Sequence, residues 1–390
     1  RSNYLRGGVN VGAMYDDNAL LASTGQESNT SESVFPNIAI EESTTRTRWT
    51  LGYAGGLTVN QKITSQNQGS QNLNFDSLFR LSPHVNLRVA ENFSMTTGYL
   101  DSTNGEQVVT EAGAANASVI TPLATQRMNT TTVEGNYHFA LNDLLGASGS
   151  YYDLHFSNVP AGVVLSDTQT ATGSVFWLHK MFRGDWAGLS YRFQRITIGP
   201  QGETLVDTAM LVDSLKLGNG FSLSAFAGPQ YAANTFLLTG ETQTSQSNHW
   251  SGAGGLEAGW RNKKTSLIVG YSRAISDGGG LLGAVRLENE YGNLRRELAP
   301  GWAATLTAGH GTNTALEPPS AGSPTSINLT SVGAGLERNI GKSLGLQLGY
   351  THDFQQQFEV PSAVVPGSVD ASRNRFVVTL SYQWAKPLGM

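Results

Sequence analysis

Apolar and polar side chains alternate at every second residue along this chain, and the alternation returns roughly every twenty residues. In the first such segment Val9, Val11 and Tyr15 share one face, whereas Arg6 and Asn10 share the other. Successive side chains of a β-strand point to opposite sides of a sheet, so the pattern predicts strands with one apolar and one polar face. The fold must cover the apolar faces of many strands and leave the polar faces in water.

The segments, clear and weaker ones together, predict about 18 strands (16–18). Only 39% of the residues are hydrophobic, and the longest apolar runs are too short for a transmembrane helix. A chain that spans a membrane with strands must close its sheet, because lipid offers no partner for backbone amides. We therefore predict an all-β fold: a transmembrane antiparallel up-and-down β-barrel with a polar lumen, forming a single outer-membrane domain over residues 1–390.

Connections between the predicted strands alternate between short turns and longer polar loops. Short turns are predicted near residues 43–44, 82–84, 141–143, 183–185, 218–220, 261–263 and 340–342. Longer loops are predicted near residues 16–32, 60–71, 101–127, 157–167, 233–247, 311–325 and 355–372, with two short exceptions at residues 199–202 and 277–280. Bacterial barrels have short periplasmic turns and long extracellular loops, so we expect the short turns and both termini in the periplasm.

Large aromatic residues cluster at both ends of the predicted strands. Beside the short turns, on the face expected to meet lipid, lie Trp49, Phe139, Trp177, Trp260, Tyr291, Trp302 and Trp384. At the opposite ends lie Tyr15, Tyr99, Trp250 and Phe354. Aromatic rings are enriched at the two membrane interfaces, so this placement predicts two girdles. A soluble β-sandwich with core aromatics is the less favoured alternative.

Two segments depart from the strand pattern. Pro229 falls within a predicted strand and removes a ladder donor, so we expect a bulge or a local break there. The stretch Leu144–Phe156 carries apolar residues on both faces in its second half, which predicts another bulge or a strand that extends above the membrane.

Charged residues assigned to the polar face predict a lumen with two opposing sectors. The basic sector is predicted to contain Arg6, Arg46, Arg48, Arg80, Arg88, Arg373 and Arg375. The acidic sector is predicted to contain Asp207, Asp213, Glu257, Glu288 and Glu290. Such walls would set up a transverse field that orients dipolar solutes. The alternative is that these charges pair with one another and select nothing.

Signals for other chemistry are weak. The chain carries a formal charge of -5 with no basic block and no cysteine, so we expect no nucleic-acid partner, no cofactor and no thiolate metal site. The seven histidines are scattered, and His155 with nearby Asp153 is a weak hydrolase candidate. The oxygens of Asp16, Asp17 and Asn18 are a weak candidate for a hard cation such as Ca²⁺, or they turn the chain through local hydrogen bonds.

Two segments carry a family resemblance. The run from Gly12 to Asn18 and the final segment from Arg375 to Trp384 resemble the first and closing strands of bacterial β-barrel porins associated with exopolysaccharide export. The resemblance implies passage of polysaccharide or other hydrophilic material through the outer membrane. Such chains usually end in an aromatic residue, whereas this one continues through Ala385–Met390. The assembly signal is therefore expected internally, at Tyr382 and Trp384, or in a continuation of the chain.

Function is consequently predicted as a polysaccharide-export channel first and a general diffusion porin for small polar solutes second. A structural or anchoring barrel without transport is the third prediction, and an outer-membrane enzyme the last. Expected partners are outer-membrane lipid and lipopolysaccharide, with periplasmic export components and a homo-oligomer as further expectations.

Overall fold

A computed structural model of the chain describes residues 3–22, 25–64, 67–97, 124–159, 165–199, 202–237, 244–280, 282–316, 325–358 and 370–388. The first nine strands are β1 Tyr4–Asp16, β2 Asn29–Ser43, β3 Thr47–Asn60, β4 Gln68–Arg80, β5 Val85–Thr97, β6 Thr125–Ala140, β7 Asp143–Ser157, β8 Thr168–Phe182 and β9 Asp185–Ile198. The others are β10 Gly202–Lys216, β11 Phe221–Leu237, β12 Thr244–Arg261, β13 Thr265–Ser276, β14 Val285–Ala299, β15 Trp302–Ala315, β16 Ser326–Ile340, β17 Leu344–Phe358 and β18 Ala371–Pro387. In this part of the chain, no helix has the length and apolar character needed to cross a membrane.

All eighteen strands form one antiparallel sheet that closes on itself. Each strand pairs with its neighbours in sequence, and β1 pairs with β18 from Tyr4–Pro387 to Asp16–Arg375. The closed sheet confirms the predicted eighteen-stranded up-and-down barrel. Closure leaves no edge strand, which is the condition for a sheet to exist in lipid.

The two ends of the barrel differ as the sequence predicts. Eight short turns join the strands in pairs from β2–β3 to β16–β17, and both termini of the described chain lie at this same end, which we call the turn end. The opposite end, with the other connections, is called the loop end. Small register shifts occur beside three turns, at His138/Ala140, Lys180/Phe182 and Glu297/Ala299.

Strand pairing fixes which side chains face outward, because directly paired residues lie on the same side of a sheet. Val11 pairs with Val34 and with Leu380, and all three are exposed apolar residues on the outer surface. The outer surface of the strands carries many more such residues, for example Leu211 at 67% exposure and Leu306 at 54%. Exposed apolar positions in such a band are what a hydrocarbon environment requires.

Most of the predicted girdle residues face outward in this register. At the turn end these are Trp49, Phe139, Trp177, Trp260, Trp302 and Trp384, and at the loop end Tyr15, Trp250 and Phe354. The prediction for Tyr291 is wrong, because it pairs with Gly270 on the inner face and bonds Glu257 there. Tyr99 lies outside the described residues.

The two segments that depart from the strand pattern, around Pro229 and in Leu144–Phe156, differ in structure. Next to Pro229, β10 and β11 lose pairing between Thr208–Gln230 and Leu211–Ala227 while the register stays the same, so the proline causes a local break without a bulge. β7 keeps its register to β6 and β8 through its second half. The unbroken register shows that there is no bulge, and the apolar inner residues, such as Leu154, are buried by packing within the barrel.

A matched pair of substitutions tests which face meets lipid. Gln347 and Leu348 are adjacent in β17, and the register places Gln347 on the inner and Leu348 on the outer face. Leu348→Arg should lower the free energy of unfolding in phospholipid bilayers by about 2–4 kcal/mol, because it places a charge in hydrocarbon. Gln347→Arg should leave it nearly unchanged, as measured by urea titration. Equal losses for the two variants would contradict the assigned faces.

Candidate functional site

Most of the predicted basic residues lie on the inner face of the barrel. Arg6, Arg48, Arg80 and Arg88 lie there in the turn-end half of β1, β3, β4 and β5. Arg373 and Arg375 lie there at the loop end of β18, and Arg46 lies in the turn between β2 and β3. Apart from Arg46, the residues of the predicted basic sector therefore lie on the inner face. Their effect on solutes stays a prediction.

Carboxylates on the same face neutralise part of this sector. Nε of Arg6 lies 3.0 Å from Glu41, and the guanidinium of Arg88 lies 2.6 Å from Asp76. Both pairs are well exposed, so solvent screens them. Arg48 has an exposed side chain and, within the described ranges, belongs to no ion pair; the same holds for Arg80. Both side chains point into the lumen, and no carboxylate of the described residues pairs with them.

The predicted acidic sector is mostly wrong. Asp207 pairs with Phe193 and Asp213 with Ala187, which places both carboxylates on the outer surface. Glu288 and Glu290 also face outward, because they pair with Arg273 and Tyr271 of β13. Of the predicted acidic residues, only Glu257 faces the lumen, where it accepts a hydrogen bond from Tyr291.

The acidic residues of β10 and β14 were assigned to the wrong face for the same physical reason. In β10 the inner positions Val206, Met210 and Val212 are as apolar as the outer positions, so the alternation does not show which face is which. In β14 the inner residue Val285 is fully buried and the outer positions are charged, so the pattern is inverted. A one-residue error in register turns every side chain to the other face. The inner surface is apolar here because it is packed against protein.

A buried ionic cluster joins the strands beside the closing seam of the barrel. Asp353 of β17 accepts hydrogen bonds from Nε of Arg373 and from a terminal nitrogen of Arg375, each at 2.9 Å. Asp16 of β1 lies 3.9 Å from Arg373. All four side chains are about 5% exposed. Opposite charges in this dry setting hold β1, β17 and β18 together at the loop end.

The side-chain oxygens of the adjoining residues Asp17 and Asn18 accept hydrogen bonds from other residues of the protein. Asp17 accepts two hydrogen bonds from Asn374, both at 2.6 Å. Asn18 donates to the carbonyls of Ala22 and Ser372 and accepts from the Ala22 amide. In the described part of the chain, no set of three acidic or histidine residues is placed to hold a metal ion. The structure therefore favours the chain-turning role of Asp16, Asp17 and Asn18 over the cation site.

A hairpin from the loop end lies inside the barrel and narrows it. We call it the inner hairpin: residues 274–280 and 282–284, the loop-end part of β13 with its connection to β14. Gly278, Gly279 and Gly280 are buried, although such connections usually lie at the surface. The carbonyl of Gly280 accepts a hydrogen bond from the Ser166 amide at 2.9 Å, which joins the hairpin to the β7–β8 connection across the lumen.

Apolar and polar contacts both fix the inner hairpin. Ile275 packs against Ile196, Val206 and Ala232 of β9, β10 and β11. The buried Asp277 carboxylate accepts hydrogen bonds from the Thr168 hydroxyl at 3.2 Å and the Gly279 amide at 3.2 Å. Burial raises the pKa of Asp277, although these hydrogen bonds oppose the shift. The loop-end half of the lumen is therefore partly filled by the protein itself.

Aromatic rings also line the lumen, and several lie flat against the barrel. A Cβ atom added to Gly146 would come within 2.1 Å of the Phe176 ring, and one added to Gly255 within 2.3 Å of the Phe226 ring. Each ring thus covers the backbone of the neighbouring strand, where glycine leaves room for it. The rings add apolar surface to the lumen without projecting far into it.

The weak hydrolase candidate has a different partner from the predicted one. Nδ1 of His155 lies 2.5 Å from Asp167, whereas Asp153 accepts a hydrogen bond from Gln169. His155 pairs with Arg127 on the outer surface of β6 and β7, away from the lumen. A half-exposed histidine and carboxylate near the loop end suit a surface ion pair.

No protein-family model matches the chain, and no curated protein sequence matches it. Among solved structures it is similar to the outer membrane protein OpdK from Pseudomonas aeruginosa, with 10% identity and a TM-score of 0.47 over 97% of this chain and 99% of that one. OccK2 (OpdF) from the same organism gives 8% and 0.49 over 98% of each chain. The siderophore receptor PiuA from Acinetobacter baumannii gives 10% and 0.46 over 98% and 82%. Likeness at this level carries no conclusion about function.

Removing the shared carboxylate of the ionic cluster tests its role. Asp353→Asn should lower the free energy of unfolding by about 3–5 kcal/mol, because it leaves two buried guanidinium groups without their common counter-ion. Asp76→Asn, the control, breaks an exposed pair and should cost at most about 1 kcal/mol. Urea titration of the refolded proteins measures both. A loss for Asp353→Asn no greater than for the control would show that the cluster does not hold the seam.

Proposed function

We propose that the chain is an integral outer-membrane channel through which small polar solutes diffuse. The observation that carries the proposal is the opposition of the two faces of one closed sheet. The outer face presents an apolar band between two aromatic girdles, and the inner face presents charged and hydroxyl side chains. A closed barrel of about eighteen strands is wide enough to hold an aqueous lumen. The short turns and both described termini are placed in the periplasm by this proposal.

The distribution of charge supports a preference for anions. The chain as a whole is acidic, with a formal charge of -5, but its basic residues are concentrated inside. The inner face of the strands carries Arg6, Arg48, Arg80, Arg88, Lys180, Arg192, Lys216, Arg261, Arg295, Arg373 and Arg375. Fewer acidic residues lie there: Asp16, Glu41, Asp76, Glu134, Glu257, Glu297, Glu337 and Asp353. A lumen with excess positive charge concentrates anions.

The outer face shows the reverse balance. Its strands carry Glu32, Glu42, Glu91, Asp143, Asp153, Asp185, Glu203, Asp207, Asp213, Glu288 and Glu290. Its basic residues are fewer: Arg127, Arg195, Arg273, Arg286, Arg296, Arg338 and Lys386. Within the described strands, the excess of acid therefore lies on the outer face, so the net charge of the chain does not give the sign of the charge on the inner face.

Export of polysaccharide is placed second. It depends on the resemblance of the two end strands, whereas the charged lumen and apolar exterior suit any small polar solute equally. An anchoring barrel without transport is the third possibility. The observation in its favour is that the inner hairpin fills part of the lumen. Membrane lipid, lipopolysaccharide, periplasmic export components and a second copy of the chain remain proposed partners.

Planar-bilayer recording separates these functions. The purified protein should produce stepwise conductance in potassium chloride, because polar side chains keep water in the lumen. Small sugars added to the bath should enter and reduce the current, while large dextrans should not. A protein that inserts, shown by protease protection in liposomes, and yet carries no current would refute the channel and leave the anchoring role.

Charge reversal at the two unpaired arginines tests the anion preference. In a salt gradient the wild-type reversal potential should indicate greater permeability to chloride than to potassium. The double variant Arg48→Glu/Arg80→Glu should shift that potential toward potassium, because it exchanges positive for negative charge in the lumen. Arg296→Glu/Arg338→Glu makes the same net change on the outer face and should leave the potential unchanged. Equal shifts in both double variants would contradict the assignment.

A further inference from the structure

One carboxylate of the outer face lies in the middle of the apolar band. Glu91 is the central residue of the 13-residue strand β5. It faces outward with Val89, whose partner in β6 is the exposed Val133. Its own partners across the sheet are Phe75 of β4 and Thr131 of β6. An ionisable side chain that faces lipid at this depth is costly, and where it occurs it is commonly functional.

The protein satisfies this carboxylate only in part. The Thr131 hydroxyl donates to Oε2 of Glu91 at 2.5 Å. Among the described residues, no cation forms an ion pair with Glu91. A carboxylate accepts several hydrogen bonds through its two oxygens, so Glu91 has room for a further donor that approaches from the lipid side.

Polar side chains continue from Thr131 to the loop end on the outer face of β6. The next two outward positions are Asn129 and Arg127. Oδ1 of Asn129 accepts no hydrogen bond from the described part of the chain. Arg127 is exposed and pairs across the sheet with His155. The outer face of β6 is therefore polar from the middle of the band to the loop end.

The turn-end half of the same wall contains an apolar groove of about 280 Å³. A Cβ atom added to Gly135 would meet no described atom within 4 Å apart from its neighbours in the chain, so this glycine keeps the groove open. A wider groove of about 550 Å³ adjoins it, and the two share Leu145 and Val175. The outward side chains that line the first groove are those of Val85, Tyr137, Leu145, Ala147 and Val175.

We propose that the outer wall of β5–β8 is a path by which phospholipids cross between the two leaflets of the membrane. Acyl chains lie in the groove, and the headgroup passes Glu91 in the middle of the bilayer. The charges match a zwitterionic phospholipid, because Arg127 binds its phosphate near the loop end and the Glu91 carboxylate attracts its ammonium group. The inference rests on the barrel spanning a bilayer and does not require ions to pass through the lumen.

The physical reason is the length of hydrocarbon that a headgroup must cross. Val85, where β5 starts at the turn end, is six residues from Glu91. At about 3.3 Å per residue and a tilt of about 40°, this distance is about 15 Å along the membrane normal, against about 25 Å for a full apolar band. The polar outer face of β6 covers the remainder. A headgroup that follows this wall therefore crosses less hydrocarbon than one that crosses the bilayer unaided.

Extraction of a labelled lipid by albumin tests the path. The protein is refolded into phosphatidylcholine vesicles that contain a trace of phosphatidylcholine with a short fluorescent acyl chain, and protease protection verifies insertion. Albumin extracts this lipid from the outer leaflet alone, and it is too large to enter the lumen, so an open channel does not affect the measurement. Vesicles without protein should release only the outer-leaflet share of the label, whereas vesicles with the wild-type protein should release nearly all of it.

Matched variants assign the transfer to this wall. Glu91→Leu should reduce extraction to the level of protein-free vesicles, and it should fold because it removes a charge from the apolar face. Glu32→Leu makes the same change on the outer face near the loop end of β2 and should transfer lipid like the wild type. Gly135→Leu fills the groove and should slow transfer without altering any charge. A wild-type protein that transfers no lipid, or a Glu91→Leu variant that equals it, would overturn the path.

A second copy of the chain that covers this wall is the competing occupant. Thr131→Cys places a thiol beside Glu91, and Val11→Cys places one in the apolar band on β1, in a chain that has no cysteine of its own. Disulfide-linked dimers that form with oxidant only in the Thr131→Cys protein would overturn the path. Equal or absent cross-linking in the two variants leaves the wall open to lipid, as the path requires.

Conductance distinguishes the path from the channel. Glu91→Leu should conduct like the wild type, because Glu91 lies on the outer face. A protein that transfers lipid and conducts no ions would refute the channel and support the path. A protein that conducts ions and transfers no lipid would do the opposite.

Discussion

Backbone hydrogen bonding is the constraint on which the rest of this structure depends. In hydrocarbon each amide and carbonyl needs a partner from the protein, and a sheet satisfies that need completely only when its first and last strands meet. Here β1 and β18 meet along their shared length, and Asp353 with its two arginines reinforces the loop end of the adjoining strands. Closure also creates the lumen, so the requirement that gives stability gives the candidate transport path as well.

The same requirement makes the β12–β13 seam informative. All other neighbouring strands in the described residues share most of their length, whereas this pair separates above Gly254–Arg273. The separation lies toward the loop end, where protein and water can replace a strand as hydrogen-bonding partners more readily than lipid can. The inner hairpin therefore has two effects in the described part of the barrel: it narrows the lumen, and its strand β13 is not paired with β12 beyond Gly254–Arg273.

The sequence predicts the barrel, its strand number and the placement of the short turns at one end, because alternation and turn residues are local signals repeated many times. It predicts the inner face correctly where the inner side chains are exposed, as at Arg48 and Arg80. It fails at Asp207 and Glu288, because the inner hairpin makes the neighbouring inner surface apolar. That packing joins residues far apart in the chain, and no local pattern reveals it. Apolar residues on both faces of β7 and β10 were the available signal, and they marked the strands that contact protein on the inside.

The glycines that lie beneath aromatic rings on the inner face influence the width of the lumen. Phe176 and Phe226 lie flat because Gly146 and Gly255 offer no side chain. A single methyl group at either glycine would force the ring above it to tilt toward the axis. The width of the lumen can therefore change while the number of strands and the charge of the inner face stay the same. Variation at glycine, which alters no polar group on the inner face, is then a means of adjusting the width of the lumen.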